Sequence, residues 1–582
     1  MNHRPARLSR ADLPFVVCAV ASGVFVLYLG RSLTFWFDEW RSITFDGGFV
    51  DYFRPINEHW STLPLLLYRA TFNVVELHSY LPYLAEVIVL HLVAVAGAYV
   101  LMRRRVGRMG ATVLALPLLL LGAGAENLFW AFQTGFVGSV ALGVWALVLV
   151  ERPRVRDAKY ASAFLVLSVM SSGVGLFFVA ALAVRTAVDA GRRPRLWAVA
   201  PPALVYAAWH LTLGQDAVGD EEPLAGPGSV FRFSVRGISH AIEALLGMSR
   251  FPTGGVLGVA GFVLVCALIA RSSRRGRWPA LACGCVGGLV AMYVLIGVAR
   301  AGFDFDFTTR SRYVYVASFF LVLCCADLIA RPMVVSLRGR RAIGAAGVTA
   351  LLAWVVAANV NSLVATRNQF QYDAHRTRAL IQLAVKHEGE PWVDPDASFL
   401  LTPPASELPP LTERYGSPVE DSLVPRLVMP PPERAYESAA LLLSGKHFRT
   451  ESASGDFSVT PPRVTDVVGA VIRRDSTGCA SLRPVREYGF VTFAARPGAR
   501  LRLTSRTTVD AKVWLGYDLT PSRGLDVVVG PGRAQDVLTP DRVSRPSRVA
   551  VTLLETSDRI RVCGLRQSAK RTSGAGLPSS SP

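Results

Sequence analysis

The chain has 582 residues, 51% of them hydrophobic, and a net charge of +19. Its long charge-free apolar runs exclude a soluble enzyme and place it in a membrane. In a soluble protein such a charge would point to nucleic acid. Here much of it lies in short loops between apolar runs, so topology accounts for it and no nucleic-acid partner is expected.

In chain order, Arg4, Arg7 and Arg10 precede an apolar stretch from Pro14 to Gly30. No small-residue cleavage site follows it, so it reads as an uncleaved first span. Further stretches of spanning length run at 81–102, 109–125, 127–150, 196–213, 254–270, 279–299, 313–330 and 342–361. Positive clusters fall at the N-terminus, Arg103 to Arg108, Arg152 to Lys159, Arg192 to Arg195, Arg271 to Arg277, and Arg331 to Arg341. If all are cytoplasmic, the spans alternate correctly.

Residues 160–190 have basic flanks at both ends and must enter and leave from one side. Ser171-Ser172-Gly173 offers the turn between two short helices. Thr62 to Leu77 is apolar but broken by Arg69, Asn73 and Glu76. Counting it as a span would invert every later cluster, so it reads as a juxtamembrane helix on the outer surface. The expectation is a polytopic α-helical membrane protein of about eleven spans. It would lie in the plasma (inner) membrane with its N-terminus cytoplasmic and its C-terminal domain extracytoplasmic. Residues 1–361 form the membrane domain, with outer loops at 31–80, 214–253 and 300–312.

Residues 362–456 read as a polar helix and a Pro-rich linker. Between 457 and 567, short alternating runs separated by Gly, Pro and Asp turns predict an extracytoplasmic antiparallel β-sandwich. These runs are FVTFAA, LRLTS, AKVWLGYDL, LDVVVG, VAVTLLE and IRVCGL. The tail, 568–582, reads as disordered. Cys479 and Cys563 lie in this polar part and are expected to pair if it faces an oxidising exterior. The other six Cys lie in apolar spans as packing residues.

The first outer loop carries Asp38 and Glu39 within Phe35-Trp36-Phe37-Asp38-Glu39-Trp40. Adjacent carboxylates at a bilayer surface can hold a metal, act as a general base, or both, so a divalent metal stays open. The bland reading is a helix cap. Glu58 and His59 form a second polar cluster in the same loop, for substrate or for structural hydrogen bonds. Glu126, Asn127 and Gln133 open the 127–150 span and either line a donor pocket or cap a helix. Arg310, Arg312 and Tyr313 stand at the outer edge of a span, where guanidinium groups suit a phosphate or simply snorkel. Asp304 and Asp306 alternate with Phe303, Phe305 and Phe307, which reads as an acceptor-sugar surface or, the favoured reading, a loop pinned by its aromatics.

This pattern resembles the GT-C superfamily of membrane glycosyltransferases, which includes protein O-mannosyltransferases and the aminoarabinose transferases that modify lipid A. The resemblance is carried by Asp38-Glu39, the surface helix before the second span, His59 and Pro64 in the Glu58 to Tyr68 stretch, and Ser311 to Tyr315. It covers roughly the first 360 residues. The Arg-rich composition and C-terminal β-domain look most like actinobacterial cell-envelope members. What the resemblance implies is a polyprenyl-phosphate-linked sugar donor, Asp38 as base with Glu39 as its neighbour, and inversion at the anomeric carbon. The acceptor would be an extracytoplasmic glycan, lipid or protein.

Two other classes remain: a transporter or flippase of lipid-linked sugars, and a non-catalytic envelope scaffold. A pathway across the bilayer expects ionisable residues deep in several spans. Asp327, Glu86 and His91 lie within spans, but the strongest polar clusters sit at outer ends, which favours surface chemistry.

Overall fold

The computed structural model describes residues 10–45, 47–56, 58–151, 154–189, 196–215, 225–249, 251, 255–274, 278–302, 307–330, 341–419, 433–443, 449–453, 457–468, 470–485, 489–496, 498–516, 525–539, 547–553 and 559–567. The expectations placed on Asp304, Asp306, the linker at 420–432 and the tail lie outside them. Two compact units divide the chain between Tyr372 and Asp373.

The first unit is helical. Its elements are α1 (Leu13–Gly30), α2 (Glu39–Ile43), α3 (Thr62–Val75), α4 (Leu81–Leu119), α5 (Glu126–Phe129), α6 (Thr134–Leu149) and α7 (Val155–Ser171). They continue as α8 (Gly175–Val188), α9 (Leu196–Thr212), α10 (Pro227–Leu245), α11 (Val256–Ser273), α12 (Ala280–Arg300), α13 (Ser311–Ile329) and α14 (Arg341–Lys386), whose residues from Asp373 on belong to the second unit. Among the described residues, seven helices are long and apolar enough to cross a membrane.

That number and the expected eleven differ for identifiable reasons. The stretches 81–102 and 109–125 are two arms of α4, which bends at Gly107 with φ 76° and ψ 175°. A side chain there would be strained, and the bend falls inside the Arg103 to Arg108 cluster. Helix α9 has 17 residues, and α7 and α8 have 17 and 14. At 1.5 Å per residue the last two are roughly 25 and 21 Å long, short of the usual span. They part at Ser172, whose backbone is extended, as the Ser-Ser-Gly turn predicts. Helix α3 has 14 residues, with Pro64, Leu65, Tyr68 and Phe72 buried and Leu66, Leu67 and Val74 exposed. That two-faced burial suits a helix lying along a surface. Helix α14 joins the apolar stretch at 342–361 and the polar one that follows into 46 continuous residues.

Charge sorts the two ends of the bundle. At one end Arg105 donates to Glu151 and to Asp327, each at 2.9 Å, and Arg185 also pairs with Glu151. Asp12, at the start of α1, lies 3.3 Å from Arg103 and from Arg108 at this same end. The α7–α8 turn belongs to the other end, where Gly173 approaches His59 and Gly135 approaches Ser171. Loop parity inferred from arginine positions therefore has a counterpart in contacts: α7 and α8 leave and return to one end. Small residues let the helices approach closely. A Cβ on Gly143 of α6 would lie 2.2 Å from the Phe178 ring of α8.

The second unit holds α15 (Leu408–Tyr415), α16 (Glu433–Leu443) and two antiparallel sheets. One sheet orders Leu525–Val529, Val509–Gly516, Ser547–Leu553, Gly489–Ala495 and Arg463–Val468. The other orders Arg449–Ser452, Gln535–Leu538, Arg500–Thr504, Ile560–Gln567, Ala480–Pro484 and Ala470–Arg474, with Phe457–Thr460 also on Ile560–Gln567. Alternate residues of both, among them Leu482, Phe493, Leu503, Val513, Val549 and Val562, form one dry core. Each of the six runs read from the sequence overlaps a strand within its described residues. The strands beginning at Arg449 and Phe457, and Gln535–Leu538, have only four residues each and escape a periodicity test.

Cys479 and Cys563 form a disulfide across 84 residues, with Cα atoms 4.7 Å apart. Closing a loop of that length removes roughly 4 kcal/mol of unfolded-chain entropy in the chain-entropy account. Cys479→Ser is therefore expected to lower the unfolding midpoint of the β-domain by several degrees in a thermal melt followed by limited proteolysis. An unchanged cleavage temperature would contradict it.

Candidate functional site

The acidic pair folds into a tight turn after α1. Phe35 is fully buried against Trp40, Tyr80 and Tyr83, which anchors the loop. Phe37 then adopts φ 51°, a conformation that bulky side chains avoid, with its ring beside Trp36 and Trp130. Backbone strain of this kind costs about 1–3 kcal/mol and gathers at functional sites. Asp38 is the N-cap residue of α2, yet its side chain makes no cap hydrogen bond. The helix-cap reading therefore does not account for it.

The two carboxylates have different surroundings. Glu39 is fully buried. Its Oε2 accepts from the Trp36 N–H at 2.6 Å, and its Oε1 accepts from the Tyr80 hydroxyl at 3.0 Å and the Phe132 N–H at 3.1 Å. Burial pushes its pKa up to about 8, against the opposing pull of these three donors. Glu39 thus ties the first loop to Tyr80 and to the segment before α6. With both its oxygens engaged away from solvent, the pair does not fit a two-carboxylate metal clamp. No group of three His, Cys, Asp or Glu gathers at ligand spacing among the described residues.

Glu58 and His59 flank a short ribbon, Pro55–Ile56 against His59–Trp60. Trp60 stacks on Trp209 of α9 at 5.0 Å, and the Trp209 indole N–H donates to the Phe53 carbonyl at 2.7 Å. Pinned in this way, Glu58 pairs with Arg300 at the end of α12. Burial and the guanidinium charges of Arg312 and Arg300 push His59 down to about 4, so it is neutral near pH 7. Arg312 lies 3.9 Å from Glu126, and its buried Nε has no hydrogen-bond partner.

The remaining predicted residues have more local roles. Glu126 donates its backbone N–H to Ser311, which ties α5 to the start of α13. Asn127 and Gln133 are buried and bond to each other at 3.5 Å, leaving Asn127 Oδ1 unpartnered. The Arg310 guanidinium lies 5.6 Å from the Phe307 ring, on its own loop. Tyr313 is buried, and its ring lies 5.6 Å from the Arg312 guanidinium. The structure thus joins Glu58, His59, Glu126 and Arg312 into one cluster around Arg300. Sequence reasoning passed over Arg300, although its place at the end of an apolar span was a signal.

A small cleft lies at this end. The first loop contributes Ser42 and His59, α3 contributes Pro64 and Tyr68, and Phe132 and Thr134 close another side. Ser171 and Ser172 bring in the α7–α8 turn. The exposed backbone of that turn is therefore covered by protein, as membrane depth would require. Ser42 stands one helical turn from Asp38.

No family model matches the chain, and no curated protein matches it. Among solved structures it is similar to ArnT from Cupriavidus metallidurans in the apo state, at 16% identity and a TM-score of 0.44. The match covers 72% of this chain and 90% of that one.

Proposed function

We propose that this protein is a GT-C-type membrane glycosyltransferase that moves a sugar from a polyprenyl-phosphate-linked donor to an extracytoplasmic glycan, lipid or protein. The observation that carries this reading is the cluster at one end of the bundle. There neutral His59 and Ser42, one helical turn from Asp38, line a cleft, and the guanidinium groups of Arg300 and Arg312 stand near His59. At the opposite end Arg105 and Arg185 are neutralised by Glu151 and Asp327. By the positive-inside rule the end with Arg103 to Arg108 is read as cytoplasmic, and the cleft at the other end as extracytoplasmic.

In this mechanism Asp38 takes the proton of the acceptor hydroxyl as its oxygen attacks the anomeric carbon. The bond from that carbon to the phosphate oxygen breaks, and the polyprenyl phosphate leaves with the electron pair. Arg312 and Arg300 hold the phosphate and stabilise the charge that develops on it. The buried, unpartnered Nε of Arg312 supports that assignment, because such a donor is costly without an acceptor. Glu39 keeps the turn in place.

Transfer by the full-length protein in liposomes, with polyprenyl-phosphate sugars as donors, tests the reading. Arg312→Ala is expected to raise the donor KM by roughly 10- to 100-fold, the loss of a hydrogen bond to a charged group. Transfer that is indifferent to this substitution, or a reporter tag placing the first loop in the cytosol, would overturn it.

A further inference from the structure

In the second unit, the sheet that holds Arg500–Thr504 turns one face to the dry core, and its register fixes what the other face carries. Leu482, Leu503, Val537, Ile560 and Val562 point inward, so their strand neighbours point out. Arg502 lies opposite Asp536 on one side and Cys563 on the other, and Glu451 also lies opposite Asp536. Leu538 pairs with both Arg449 and Arg500, Ser481 with both Arg473 and Arg561, and Arg483 with Val471. Six arginines, at 449, 473, 483, 500, 502 and 561, therefore share one outer face.

The acids among the described residues there are few and already engaged. Asp536 is fully buried, 3.3 Å from Arg500 and 2.7 Å from Arg502. Glu451 pairs with Arg449 at 2.9 Å and with Arg500 at 3.1 Å, and Asp475, from the turn after Arg474, takes Arg561 at 2.6 Å. Arg473 and Arg483 are exposed and have no carboxylate partner among the described residues. Six positive charges thus stand against three negative ones.

The Cys479–Cys563 disulfide lies in the same sheet, and such bonds persist in oxidising surroundings outside the cytoplasm, where nucleic acid is not the usual polyanion. A lipid surface would be met better by exposed Trp, Phe or Leu among the basic groups. Here the exposed apolar strand residues, Val459 and Val471, are short, and the Arg500 guanidinium lies 4.7 Å over the Phe457 ring.

Resting on the glycosyltransferase reading and its extracytoplasmic C-terminal unit, we propose that this arginine face binds an acidic glycan, a chain with carboxylate or phosphate groups on successive units. Guanidinium groups pair with either oxyanion at two points. Same-face residues lie about 7 Å apart along a strand and about 5 Å apart across strands, so a chain of repeated charges meets several arginines together. Linked contacts of this kind bind more tightly than any one of them. Asp536 and Glu451 hold Arg449, Arg500 and Arg502 in place, so these side chains lose little freedom on binding.

The full-length protein in nanodiscs of uncharged lipid would be titrated, at about 0.15 M salt, with polygalacturonate, poly(glycerol phosphate), neutral dextran and phosphatidylglycerol vesicles. At least one of the two polyanions is expected to bind about 10-fold or more tightly than dextran and the vesicles. Arg473→Glu combined with Arg483→Glu should weaken that polyanion by roughly 10-fold or more. Lys512 alternates with core residues Ala511 and Val513 on the outer face of the other sheet, and Lys512→Glu should change the affinity by less than about 3-fold. Equal binding of dextran, tighter capture of vesicles, an unchanged affinity in the double variant, or an equal loss in Lys512→Glu would each overturn the proposal. Sugar transfer to a short neutral acceptor by the same proteins separates the two readings. If transfer persists while the proposal falls, the glycosyltransferase reading stands; if the polyanion binds at this face and nothing is transferred, that reading falls instead.

Discussion

Asp38→Asn is expected to lower the rate of sugar transfer by about 10²–10⁴-fold, the range for removing a general base. The amide keeps the size and polarity of the side chain but cannot take a proton at neutral pH. A thermal melt of the same variant separates a loss of chemistry from a loss of folded protein. Asp38→Glu should recover part of the rate, since it restores a base at a slightly wrong distance. Initial rates with saturating donor measure both variants. If Asp38→Asn transfers at the wild-type rate, the carboxylate is not the base. If it loses rate only in proportion to lost folded protein, its role is structural.

Its neighbour should behave in the opposite manner. Glu39→Ala strips acceptors from the Trp36 and Phe132 amides and the Tyr80 hydroxyl. With each orphaned buried donor costing about 1–3 kcal/mol, the loss is expected to reach roughly 3 kcal/mol or more. The protein should then lose expression and thermal stability before any rate can be assigned to chemistry. Glu39→Gln is the gentler probe, and it carries a pH signature.

In the folded protein Glu39 has a pKa pushed up to about 8, above the usual carboxylate range of the unfolded chain. Across that window the folded state keeps a proton that the unfolded state has released. The associated stability is complete below the unfolded value and is lost as pH rises toward about 8. Glu39→Gln should flatten this part of a plot of denaturation midpoint against pH. An identical slope in both proteins would mean that the proton is not there. With Glu39 holding its proton near pH 7, it is not the base at that pH, and the proposed mechanism gives that role to Asp38.

Much of the architecture is legible from local pattern. Apolar runs mark the helices, and Ser171-Ser172-Gly173 marks the break between α7 and α8. Interrupted hydrophobicity marks α3 as a surface helix, and alternating runs mark six of the strands. Hydropathy and period are properties of neighbouring residues, so a four-residue element such as Gln535–Leu538 carries too little signal to be read in this way. The pairing of Cys479 with Cys563 was legible for another reason: these are the two Cys outside the apolar spans.

The site was legible in composition but not in roles. Asp38 and Glu39 look equivalent in a sequence, with the same charge and adjacent positions. What separates them is that Glu39 meets Tyr80, 41 residues away, and Phe132, 93 residues away. Arg300 and Arg312 come to His59 from the far side of several helices, and Tyr68 faces the cleft from a helix that hydropathy describes only as amphipathic. The sequence by itself determined which segments are apolar enough to form the helical unit, because that depends on the summed transfer free energy of contiguous side chains. Only the tertiary structure decided which acid has both oxygens engaged by Trp36, Tyr80 and Phe132, and which hydroxyl is left unpaired, because desolvation and hydrogen bonding depend on neighbours that chain order does not specify.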